Sequence, residues 1–227
     1  MKLQHKLGAG TVAGLVLFGV PSMAFADDLS RKGSYTVPAG HTIDGNLKVS
    51  GGTVTIHGTV KGNVRQVGAG AVVIGARGLV EGNVDEYDAG DVTVNGEVKG
   101  NVTERAAGHV RVNAGGHVDG NLTETGAGNA EVRGTVDGNV IEKGRGNAAI
   151  HGTVDGNVIE YGAGNAALRG RVNGNVTEKG AGHLYLYATT RIDGNAYEKD
   201  SGNLYRYRGA RVEGDISEGG AGSLVRR

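Results

Sequence analysis

The sequence predicts an all-β protein, a single-domain parallel β-helix (β-solenoid) of about nine turns of 17–20 residues. Three observations carry this expectation. Residues 134–151 (GTVDGNVIEKGRGNAAIH) and 152–169 (GTVDGNVIEYGAGNAALR) are one 18-residue unit written twice, identical at 14 of 18 positions. The Gly-Asn pair of that unit recurs from Gly45 through Gly62, Gly82, Gly100, Gly120, Gly138, Gly156, Gly174 and Gly194, and Gly214 is followed by Asp215 instead. The successive spacings are 17, 20, 18, 20, 18, 18, 18, 20 and 20 residues. Within each unit, apolar residues alternate, as in Asn147-Ala148-Ala149-Ile150-His151, which is the period of a strand with one buried face.

Taken in order, residues 1–26 read as a signal peptide. Lys2 and Lys6 precede a largely apolar run over 7–20, and Ala24-Phe25-Ala26 offers a small-x-small cleavage site. The run is short for a membrane span, so no transmembrane segment is expected once it is removed. Residues 27–40 read as an N-terminal lead-in and 41–227 as the β-solenoid repeat domain. In each unit Val136, Val140, Ala148 and Ile150 mark the core, and Gly-Asn and Gly-x-Gly mark the corners, where glycine accepts backbone angles closed to other residues. Three of the 20-residue spacings place two extra residues in GARGL, NAGGH and YATTR, which can bulge from one corner without disturbing the stack. In the last turns Arg206 and Arg226 fall where Ile150 would, so the coil is expected to loosen there. No stretch shows helical periodicity with caps.

Composition narrows the function classes. Of 24 Lys+Arg, Lys2 and Lys6 leave with the signal segment, so 22 stand against 24 Asp+Glu in the mature chain. That balance does not offer the basic surface that nucleic acid requires. The chain has no Cys, so an exported protein would fold without disulfides. Localisation is expected to be periplasmic or extracellular.

Stacked turns about 4.8 Å apart place equivalent side chains in columns. Asn46 begins the first, followed by Asn63, Asn83, Asn101, Asn121, Asn139, Asn157, Asn175 and Asn195. Amides so stacked can hydrogen-bond along the column as a structural ladder. A shorter column, Asn129, Asn147, Asn165 and Asn203, is interrupted by His183. The acidic column is Glu86, Glu104, Glu124, Glu142, Glu160, Glu178, Glu198 and Glu218. Its repulsion calls for compensation by backbone N–H groups of the following corner, with Lys143, Lys179, Lys199 and Arg105 helping. A row of calcium ions along this column is the alternative compensation, though one carboxylate per turn supplies few ligands. No cofactor is expected, and the histidines show no metal-ligand spacing. Tyr185, Tyr187, Tyr197, Tyr205 and Tyr207 gather in the C-terminal third and could bind a partner or stack on sugars.

The recurring G-x-V-x-G-N-V, as in residues 58–64 and 152–158, resembles the repeat of the bactofilins over roughly residues 41–216. The resemblance implies a β-helical domain that joins end to end into filaments. No nucleophile with an adjacent base is evident and the insertions are only two residues long, so an enzyme is not expected. The function read from the sequence is that of an exported structural β-solenoid, a rigid scaffold or self-assembling envelope protein. Its partners would be other copies of itself or an envelope or extracellular surface. The alternative is a surface- or carbohydrate-binding adhesin using the tyrosine-rich face.

Overall fold

A computed structural model of the chain describes residues 28–227. The signal-peptide reading falls on residues 1–26, outside the described residues. Every element from Leu29 onward is a short strand, and the strands recur in threes. The first three are β1 (Leu29–Lys32), β2 (Tyr35–Val37) and β3 (Thr42–Ile43). Each begins a sheet that runs the length of the rod. The first sheet has 11 strands and ends at Ile216–Glu218; the second has 11 and ends at Leu224–Arg226; the third has 10 and ends at Arg211–Val212. All neighbouring strands are parallel. The result is a three-sided solenoid of about 11 coils, about 53 Å long at about 4.8 Å per coil.

The count exceeds the nine turns expected because Gly-Asn pairs mark only the inner coils. Residues 27–40, read as a lead-in, include two strands paired in register with the next coil, Leu29 with Leu47 and Tyr35 with Val54. At the far end the strands stay paired, Leu204 with Leu224, while burial fades: Val212, Ile216 and Leu224 are only partly covered. Arg206 and Arg226 do occupy the register position of Leu186.

The interior is one column of Val, Ile, Leu and Ala contributed by all three sheets, from Val37 to Ala210. Within one coil, Val140, Ala148, Ile150 and Val154 are fully buried, and each pairs with its equivalent in the next, as Val140 with Val158 and Ile150 with Leu168. β-branched residues suit such half-buried strands because their restricted rotamers pack against like neighbours above and below. The two-residue insertions form tight turns closed by Gly75 O with Gly78 N–H, Asn113 O with Gly116 N–H and Tyr187 O with Thr190 N–H. Register is undisturbed across them, Val94 pairing with both Ile74 and Val112. The same turn occurs at Pro38–His41 and Tyr207–Ala210, which explains a fourth 20-residue spacing.

Candidate functional site

The side chains that repeat along the rod form three kinds of column. The asparagine column is a continuous hydrogen-bonded ladder with a direction. Each Asn Oδ1 accepts both the backbone N–H and the side-chain Nδ2–H of the Asn one coil later; Asn139 Oδ1 receives Asn157 N at 2.9 Å and Asn157 Nδ2 at 3.0 Å. The pattern holds through Asn63, Asn83, Asn101, Asn121, Asn139, Asn157, Asn175 and Asn195. Each rung closes a corner where backbone donors would otherwise lack partners.

Both ends of this ladder are aspartates. Asp28 accepts from Asn46 N at 2.9 Å and Asn46 Nδ2 at 2.8 Å, and those two bonds hold its carboxyl below the usual range. The first rung only accepts, so a carboxylate serves there as well as an amide. Asp215 donates its backbone N–H to Asn195 Oδ1 at 2.7 Å but carries no side-chain donor. The second column is longer than the asparagines alone indicate. His183 does not interrupt it: its Nδ1 accepts the Asn203 N–H at 2.9 Å, as His109 Nδ1 accepts the Asn129 N–H at 2.9 Å. Imidazole with its proton on Nε2 thus replaces the amide oxygen.

The glutamate column points into the core. Glu86, Glu104, Glu124, Glu142, Glu160 and Glu178 are 0 % exposed and Glu198 is 1 %. Val140 and Glu142 are two residues apart on one strand, so they share the buried face. Oε1 of Glu142 accepts the Gly146 N–H at 2.9 Å, and Glu124, Glu160 and Glu178 repeat this with Gly128, Gly164 and Gly182. Oε2 has no hydrogen-bond partner in Glu104, Glu124, Glu142, Glu160, Glu178 and Glu198. The compensation expected from Lys143, Lys179, Lys199 and Arg105 is absent. Each follows its Glu by one residue and so faces outward: Arg105 pairs with Asp85 at 3.0 Å, and Lys199 lies 5.1 Å from the Tyr197 ring centroid.

Burial raises the energetic cost of the column. At an effective dielectric of about 20, two carboxylates about 4.8 Å apart repel by about 3.5 kcal/mol. A run of such pairs would exceed the stability of a typical domain, about 5–15 kcal/mol. Burial accordingly pushes Glu86 up to about 7, Glu124 to about 9 and Glu160 to about 10, and it raises Glu142 as well. The close approach of neighbouring carboxyls adds to the rise, Glu142 beside Glu124 and both Glu142 and Glu178 beside Glu160.

Four of the five tyrosines form a paired stack on the second sheet and its following turn. Tyr185 and Tyr205 stack with centroids 4.9 Å apart and planes 7° off parallel; Tyr187 and Tyr207 do so at 5.0 Å and 18°. Arg169 lies 3.8 Å over Tyr187, and Arg227 lies 4.8 Å from the Tyr205 centroid and 5.9 Å from that of Tyr207. Tyr197 stands apart on the first sheet, in register with Thr177. The rings therefore stack in pairs, with guanidinium groups against three of the four. Tyr205→Ala is expected to cost about 1–2 kcal/mol in a denaturant titration, the loss of one stacked aromatic pair and a cation–π contact.

One group does not follow from the close spacing by which metal ligands are usually read. His117 Nε2 lies 3.0 Å from Asp137 Oδ1 and 3.4 Å from Asp119 Oδ1, and one ligand atom of each lies within 4.8 Å of the others, a set that could hold a metal ion at the exposed face of the third sheet. His117 and Asp137 are 20 residues apart, one coil, and the coil length is the signal that finds them. No helix among the described residues is long and apolar enough to cross a membrane.

Comparison with known families gives one match. Residues 35–126 match the bactofilin family, described as polymer-forming cytoskeletal. No curated protein and no solved structure matches the chain. Over those residues the chain is similar to the bactofilins, and the same three-sheet coil continues without a break to Val212.

Proposed function

We propose that this protein is an exported structural rod whose copies join end to end into a polymer in the envelope or outside the cell. The observation that carries the reading is the state of the two terminal coils among the described residues. Their strands are the edges of their sheets, and their inward apolar residues are only partly covered: Leu29 and Tyr35 at one end, Val212, Ile216 and Leu224 at the other. Edge strands with uncovered apolar residues favour pairing with another chain. The family description points to the same behaviour. Export rests on the composition of residues 1–26.

A catalytic role is not part of this reading, because each column repeats one group where a reaction centre needs unlike groups converging. Nor does the tyrosine stack favour an adhesin, since its rings stack in pairs, with Arg169 and Arg227 against three of the four. Light scattering of the purified protein is expected to show mass rising with concentration. A constant monomer mass across concentration and salt would overturn the polymer reading. Mass spectrometry of protein recovered from the envelope and medium should find Asp27 as the first residue, and an intact Met1 or Lys2 terminus would overturn export.

A further inference from the structure

The glutamate column is the one large buried group of titratable residues in the described chain, and a scaffold role does not use it. Its geometry is that of a file waiting for protons. Each carboxyl has one oxygen committed to a backbone N–H of its own corner, and in six consecutive coils the other oxygen is buried and unpartnered. The strands hold neighbours in register from Glu86 to Glu218, so each free oxygen faces carboxyls one coil away. Two ionised carboxyls can only repel there. A carboxylic acid beside a carboxylate has an O–H to donate to the orphaned oxygen, and the contact becomes a charge-assisted hydrogen bond.

The N-terminal end of the file fits this description. Gln66 occupies the register position before Glu86 and is fully buried. Its Nε2 donates to Gly68 O at 2.7 Å and Gly52 O at 3.2 Å, while its Oε1 is left without a partner. A neutral residue with a buried unsatisfied acceptor, in register with Glu86, suits a Glu86 that carries a proton. Other charged groups near the file are few. Asp88 lies beside Glu86 and Asp200 beside Glu198 in their corners, each donating its backbone N–H to that carboxylate, at 3.1 and 3.2 Å. The second sheet faces the file with aliphatic residues as far as Leu204, and only Arg206 and Arg226 in the last two coils carry charge there. The third sheet faces it with Val and Ile. No Lys, Arg or His forms an ion pair with any glutamate of the column among the described residues.

We propose that this column is a proton-binding file: at neutral pH its carboxyls hold protons shared between successive coils, and the rod is stable only while they are held. The direction of the pH dependence follows. Glu86, Glu124, Glu142, Glu160 and Glu178 bind protons more tightly in the folded rod than in the unfolded chain, where a glutamate titrates near 4.3. Their contribution to stability is complete below that value and is lost as pH rises through the folded values, about 7 for Glu86 to about 10 for Glu160. The rod therefore tolerates acid and fails in alkali.

The test is thermal melting of the full chain from pH 5 to pH 10, with infrared spectra at pH 7. Wild type should lose more than about 10 °C of melting temperature between pH 5 and pH 9, and should show the carbonyl stretch of protonated carboxylic acids at neutral pH. Glu142→Gln/Glu160→Gln, which places a permanently neutral amide where Gln66 already shows one accommodated, should flatten the alkaline loss and weaken that band. A melting temperature independent of pH, with no carboxylic-acid band, would overturn the proposal. So would a wild type whose melting temperature falls on adding a chelator and is restored by calcium, which would mean cations and not protons occupy the file. Should the double variant fail to fold, the wild-type melting series and spectrum decide alone.

Discussion

Gly146→Ala is expected to cost more than about 4 kcal/mol and to leave much of the chain unfolded at 37 °C. A methyl group at Gly146 would collide with the carbonyl oxygen of Gly128 in the preceding coil and come within 2.9 Å of Glu142 Oε1. The first obstacle is backbone and cannot rotate away. Relief would require the coils to separate at this corner, breaking the Ala130 N–H bond to Asn147 O at 3.0 Å and the Gly146 N–H bond that holds Glu142. The same collision recurs at Gly128, Gly164 and Gly182, so no neighbouring corner can absorb the shift. Gly115→Ala is the matched control: its added methyl would meet only Asn95 O, at 3.6 Å, and should change stability by less than about 0.5 kcal/mol. Urea titration of both variants, followed by circular dichroism, checks the pair; equal stabilities would refute the close-approach explanation of the Gly-x-G corner.

Asn157→Asp is the second large effect, expected to destabilise by about 2–3 kcal/mol at pH 7. Asn157 Nδ2 donates to Asn139 Oδ1 at 3.0 Å, and Asn157 Oδ1 accepts both the N–H and the Nδ2–H of Asn175. Aspartate keeps the accepting half and loses the donor, setting oxygen against oxygen inside the ladder. The native chain places aspartate only at the two ends, Asp28 and Asp215, where a rung has one neighbour among the described residues. Because the cost arises from a carboxylate facing an amide oxygen, it should shrink as the new carboxyl is protonated below about pH 4. A penalty unchanged between pH 7 and pH 3.5 would contradict the directional ladder.

Much of this architecture was legible from the chain itself. The coil period, the inward Val and Ile positions and the asparagine column all follow from spacing, because in a solenoid one repeat is one step along the axis. The legible part stopped where identity of residue type stopped. Coils at both ends lack Gly-Asn, so β1 and β2 passed as a lead-in although Leu29 and Tyr35 pair in register. His183 reads as a gap, and His109 falls outside the column, because an imidazole nitrogen filling an amide's place has no signature in sequence. The burial of the glutamates follows from strand parity: in Val140-Ile141-Glu142 the carboxylate sits two residues from a core valine and must share its face. The same parity puts Lys143 outside, which is why the expected charge compensation does not occur.

End-to-end growth of an eleven-coil rod makes a quantitative demand that electron microscopy can meet. Filaments of the purified protein should be unbranched, one solenoid wide at their thinnest, with an axial repeat of about 53 Å or twice that if neighbouring copies alternate in direction. Single rods of about that length at every concentration, never joined at their ends, would contradict it.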